Sequence, residues 1–216
     1  MEPEREPFFR APWPVLALLV VILAAYGMQS YIGAEAVNYA LGFSPASLTH
    51  GRIAPLFVSV FLHGGWPHVL VNSAFILAFG TPISRRVGLD AVGALAFLGF
   101  FLTCGVLANL GYAAIHPQSV NVVVGASGAA AGLMAATSRL MTRGPGLAPF
   151  FSQPVLSMAG AWVGINLLLG LAQSLGVAGL APGANGAMVA WEVHLFGYAA
   201  GLFLFAPLLR LIHRYW

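Results

Sequence analysis

Six apolar stretches run through this chain, and its arginines gather almost entirely at the ends that would share one side of a membrane. The stretches read as helices near 12–31, 56–80, 91–113, 127–140, 154–175 and 189–209. Most reach the roughly 20 residues that a helix needs to cross a bilayer. The fourth is too short to cross alone, so it begins either inside the protein or in a thinned region, where irregular backbone is shielded by protein or a wet cavity. Only 7% of the residues are charged and 59% are hydrophobic, whereas soluble domains carry about 25% charge. So few charges cannot cover a water-facing surface. The sequence therefore predicts an all-α membrane protein, a bundle of six transmembrane helices in a single domain over 1–216, with 1–11 as a short cytoplasmic tail.

Orientation follows from the basic residues. Arg5 and Arg10 precede the first stretch, Arg85 and Arg86 follow the second, Arg139 and Arg143 end the fourth, and Arg210 and Arg214 end the sixth; Arg52 stands alone on the other side. The positive-inside rule then puts both termini in the cytoplasm. The first stretch could pass for a signal peptide, but it lacks a clear small-residue cleavage site and five further stretches follow, so it reads as a retained helix. Residues 33–55 mix Glu35, Asn38, His50 and Arg52 with Val37, Tyr39, Leu41 and Phe43. They are too polar for a span and too apolar for a free loop, and read as a first loop lying in the outer interface. Residues 178–188, mostly Gly, Ala and Pro, read as a flexible outer loop. The single Cys104 excludes an internal disulfide. A net charge of +3 spread over membrane edges is no signal for nucleic acid.

Four polar residues share one depth. His68 and Asn72 lie four apart, on one helix face, at the outer entry of the second stretch. Ser127 opens the fourth stretch and His194 lies near the outer start of the sixth. Polar side chains at such depths face the bundle interior or a wet cavity. Gly128 and Gly132 are spaced by four, as are Gly197 and Gly201, and small residues so spaced let helix backbones approach closely. Docking these two faces would bring Ser127 near His194. A lone serine in a Gly- and Ala-rich helix is usually packing, and a lone membrane histidine usually ties helices together. His63, His68 and His194 as a metal set lack a nearby acid or cysteine at ligand spacing. From the residues alone, a polar-site membrane enzyme and a channel or transporter both stay open.

Three blocks carry a resemblance to a known family. They are His63-Gly64-Gly65-Trp66-Pro67-His68 with Asn72, then Gly125-Ala126-Ser127-Gly128 with Gly132, then His194 with Gly197 and Gly201. In this order, within six apolar stretches, the chain resembles the rhomboid intramembrane serine proteases in their six-span bacterial form, over nearly its whole length. The resemblance implies a serine endopeptidase that cuts transmembrane proteins, with Ser127 as nucleophile and His194 as its base, and no acidic third member. It implies oxyanion stabilisation by His68, Asn72 and the Ser127 backbone N–H, and structural support from His63, Gly125, Gly128, Gly132, Gly197 and Gly201. It implies membrane-protein substrates within a lipid surround, no metal or other cofactor, and a bacterial inner membrane with the site opening outward.

Two positions depart from the pattern. Ala131 stands where many members have an aromatic packed on the histidine, so the histidine is expected to be held by something else, such as an aromatic from another span. Ala54 and Pro55 stand where many carry a Trp-Arg pair, with Arg52 nearby, so the first loop must be anchored differently. These departures keep open a non-proteolytic rhomboid-like protein that binds membrane clients, against which the presence of both Ser127 and His194 argues. Glu192 points away from the face of His194 and reads as a solvent-edge or loop-anchoring residue.

Overall fold

A computed structural model of the chain describes residues 11–144, 146–177 and 189–212. Arg5, Arg10, Arg214, most of the expected tail and the 178–188 loop lie outside the described residues. The described chain is helical, with a single isolated bridge between Phe43 and Val123 as its β structure. The helices are α1 (Trp13–Ile32), α2 (Ala34–Leu41), α3 (Pro45–Thr49), α4 (Pro55–Val58), α5 (Trp66–Val87), α6 (Ala91–Ile115), α7 (Ser127–Leu140), α8 (Gln153–Ser174) and α9 (Trp191–Leu211).

Five of these, α1, α5, α6, α8 and α9, are long and apolar enough to cross a membrane. Helix α7 has 14 residues and extends roughly 21 Å at 1.5 Å per residue, short of the ~30 Å hydrocarbon core. It is shielded instead by protein. Gly128 to Ala136 are buried without a break, and α5, α6 and α9 all pack against it. The polarity of the molecule is arranged for lipid. Val20, Leu95, Leu168, Leu171 and Phe203 are exposed, while Gln29, His63, Asn72, Asn109 and Asn166 are buried. This is the surface of an integral membrane protein.

The second apolar stretch departs from the sequence expectation. It does not form one helix from residue 56. Pro55–Val58 makes α4, Ser59–Phe61 a 3₁₀ turn, and the spanning helix begins only at Trp66. Gly64-Gly65 breaks the run, and Pro67 then fits the first turn of α5, where its missing N–H leaves nothing unsatisfied. Hydropathy could not detect this break because Leu56–Leu62 is as apolar as a span. The expected interfacial segment is two short helices, α2 and α3. Its attachment is specific: Phe43 and Val123 exchange backbone hydrogen bonds of 3.1 and 2.7 Å, and the Ala46 N–H donates to Ser119 O at 3.0 Å. The first loop is thus stitched to the segment that delivers Ser127.

Candidate active site

Ser127 is the first residue of α7, placed there by a sharp turn. Gly125 has φ 123°, a left-handed value that favours glycine, and its N–H donates to Ser59 O at 2.9 Å. Ser59 is held in turn: Asn109 of α6 donates its amide to Ser59 Oγ and to Leu56 O, each at 3.0 Å. A buried chain of hydrogen bonds from α6 therefore fixes the turn ahead of the serine.

His194 lies in the first turn of α9. Its Nε2 is 2.9 Å from Ser127 Oγ, and its Nδ1 is 2.7 Å from Asn166 Oδ1 on α8. The orientation of the Asn166 amide follows from its other contact, because Asn166 Nδ2 donates to Trp162 O at 2.8 Å. The amide oxygen must then face the imidazole, and it can only accept. Nδ1 accordingly carries the ring proton, and Nε2 presents a lone pair to the serine hydroxyl.

His68 and Asn72 border the same turn. A Cβ added at Gly125 would lie 2.8 Å from His68 Nε2 and 3.5 Å from Asn72 Nδ2. The Gly64 N–H donates to His68 Nδ1 at 3.2 Å, so the His68 proton resides on Nε2, the nitrogen that faces Gly125. Asn72 Nδ2 is buried and has no partner among the described residues. Two donors, His68 Nε2 and Asn72 Nδ2, thus converge on the backbone just before Ser127. On the oxyanion role that the resemblance implies, Asn72→Ala is expected to lower kcat about 100-fold with little change in KM; cleavage rates measured across substrate concentration test it.

His63 stands behind this pair. Its ring is buried, with centroids 5.1 Å from His68 and 6.3 Å from Tyr26. Its backbone is clamped by Gln29, whose Oε1 accepts from His63 N at 3.0 Å and whose Nε2 donates to His63 O at 2.6 Å; Asn38 adds a bond of 3.2 Å to the same oxygen. Sequence reasoning missed Gln29 and Asn38, although a glutamine near the end of an apolar span was a usable signal. Arg52 anchors the first loop by donating to Ala40 O at 2.6 Å. Glu192 pairs with His116 at 3.1 Å, joining the start of α9 to the end of α6.

The aromatic beside His194 comes from α8. Trp162 has its ring centroid 5.7 Å from the imidazole, tilted by 44°, and its indole N–H donates to His194 O at 3.4 Å. Ala131 is buried on α7 and leaves that role to Trp162. On the hydrolytic activity that the resemblance implies, Trp162→Ala is expected to reduce kcat about tenfold, the equivalent of an aromatic contact of ~1.4 kcal/mol, and Trp162→Phe to retain most activity. Assays of both variants at saturating substrate decide this.

The glycines act as contact points between backbones. A Cβ at Gly197 would meet the Gly128 carbonyl oxygen directly, with Gly128 C at 2.7 Å and Cα at 2.9 Å. A Cβ at Gly201 would meet the Gly132 carbonyl in the same way, with its C and Cα at 2.5 Å. Helices α7 and α9 touch along main chain, which brings the first turn of one against the first turn of the other.

These features define a helical membrane protein with a serine and a histidine in hydrogen-bond contact inside its bundle. The chain belongs to the rhomboid family: the rhomboid domain matches residues 50–211. That match takes in α4 to α9 and leaves α1 to α3 ahead of it. No curated protein matches the chain.

Proposed function

We propose that this protein is an intramembrane serine endopeptidase that hydrolyses peptide bonds in or near the transmembrane helices of other membrane proteins. The observation that carries the reading is the 2.9 Å contact between Ser127 Oγ and His194 Nε2, beside the donors of His68 and Asn72. In this reading the chain is one rhomboid domain of the six-span bacterial form, with the short α7 as the fourth span. Both termini, including 1–11, are cytoplasmic, and the site opens to the outer side of the cell membrane. The arginines at the far ends of α5, α7 and α9 support that orientation.

The chemistry follows from the geometry. His194 Nε2 takes the Ser127 proton as Oγ attacks the substrate carbonyl carbon. The carbonyl π electrons move to oxygen, and the oxyanion is met by His68 Nε2–H, Asn72 Nδ2–H and the Ser127 N–H at the start of α7. Collapse breaks the C–N bond, and the imidazolium returns its proton to the leaving amine. Water, deprotonated by His194, then attacks the acyl-serine, releases the new carboxyl terminus and restores the hydroxyl. No step draws on a metal or cofactor. The substrate helix must first open locally, because a helical amide is shielded by its own hydrogen bonds.

The test uses the full-length protein in detergent with several model transmembrane substrates. Cleavage that depends on Ser127 is expected. Client binding with no turnover, and no labelling of Ser127 by a fluorophosphonate, would instead identify a non-proteolytic binding protein. Solute flux into sealed proteoliposomes that is lost in His68→Ala would point to a transporter.

A further inference from the structure

We infer that Asn166 is a positioning residue for His194, the third member of a Ser127–His194–Asn166 series supplied by α8. Its kinetic consequence rests on the proteolytic reading above, but its effect on the imidazole does not. Asn166 is fully buried on a helix that is otherwise largely exposed to lipid. A polar side chain in that setting is costly unless satisfied, and leucine would fill a similar volume without that cost. Both polar ends of Asn166 are engaged, one by the Trp162 carbonyl and the other by His194 Nδ1.

The Trp162 carbonyl decides the outcome. An amide could offer the ring either its oxygen or its NH₂. The NH₂ would select the opposite tautomer, with Nε2 protonated and unable to act as a base. By accepting from Nδ2, Trp162 O turns the Asn166 oxygen toward His194 and holds the proton on Nδ1. The same tryptophan lies beside the imidazole and donates to the His194 carbonyl. One turn of α8 therefore holds both the Nδ1 side and the tilt of the ring. An amide also orients the ring without placing a permanent charge beside it in a low-dielectric interior.

The experiment follows the ¹⁵N signals of histidine-labelled full-length protein in detergent, with His194→Gln used to assign the His194 resonances. Wild type should show the Nδ1–H tautomer. Asn166→Leu, which suits an apolar helix, should shift it largely to Nε2–H and slow fluorophosphonate labelling of Ser127 roughly 10- to 100-fold. Asn166→Asp, which keeps an acceptor in place, should leave Nδ1 protonated. A retained Nδ1–H tautomer in Asn166→Leu, or labelling within twofold of wild type, overturns the inference. Should Asn166→Leu fail to fold, loss of the Nδ1 proton in Asn166→Asp overturns it alone. If wild type neither labels nor cleaves, the proteolytic reading fails while the tautomer comparison still decides the role of Asn166.

Discussion

Ser127→Ala and His194→Ala should each lower kcat/KM on a transmembrane substrate by at least about 10³-fold, and the double variant should lose no more than the worse single one. The reason is mutual dependence. A serine hydroxyl is a poor nucleophile until a placed base accepts its proton, and the 2.9 Å contact gives Ser127 that base in His194 Nε2. Removing either leaves the other without a task, so the losses cannot add. Residual turnover would reflect substrate binding and the donors near Gly125 alone. The measurement is initial cleavage rate in detergent, with melting curves confirming that each variant stays folded. Equal cleavage by wild type and Ser127→Ala would remove the serine from the chemistry. Additive losses would mean that the two residues act in separate steps.

Much of this arrangement was legible in the sequence, for identifiable reasons. Helix α7 runs from Ser127 to Leu140 as expected, because a glycine-rich turn opens it and Arg139 marks its end. The approach of α7 to α9 was legible because glycines spaced by four leave few other ways to pack. What escaped were the partners contributed across the bundle. Helix α8 is apolar on all sides, so nothing in its pattern says which face turns inward, and Trp162 and Asn166 had no periodic signal. Asn109 was hidden likewise within α6. Such residues can be found from sequence only by asking why an amide stands in an otherwise apolar span. The second apolar stretch reads as a span from residue 56 because a composition suited to a span continues through residues that the backbone breaks into short turns, although Pro67 already suits the first turn of the helix that starts at Trp66.

Gly197→Ala should damage both the packing of α9 on α7 and turnover. The added Cβ would collide with the Gly128 main chain, and no rotamer can relieve a clash with backbone. Helix α7 cannot retreat, because its other side is already in contact with α6. A Cβ at Gly132 would lie 2.6 Å from Cys104 Cβ, and one at Gly128 2.7 Å from Ala108 Cβ. Helix α9 must therefore move, three residues from His194. Overpacking of this kind costs about 1–3 kcal/mol, and a shift of about 1 Å at a reacting group can cost 100-fold in rate. We expect a melting temperature lower by several degrees and kcat reduced about 100-fold. Gly201→Ala supplies the contrast. It meets the Gly132 backbone equally closely, but two turns beyond His194, so it should lose similar stability and less activity. Equal activity losses in the two variants would assign the effect to general unfolding of the α7–α9 contact, and wild-type melting and turnover in Gly197→Ala would show that the helices do not meet backbone to backbone at this point.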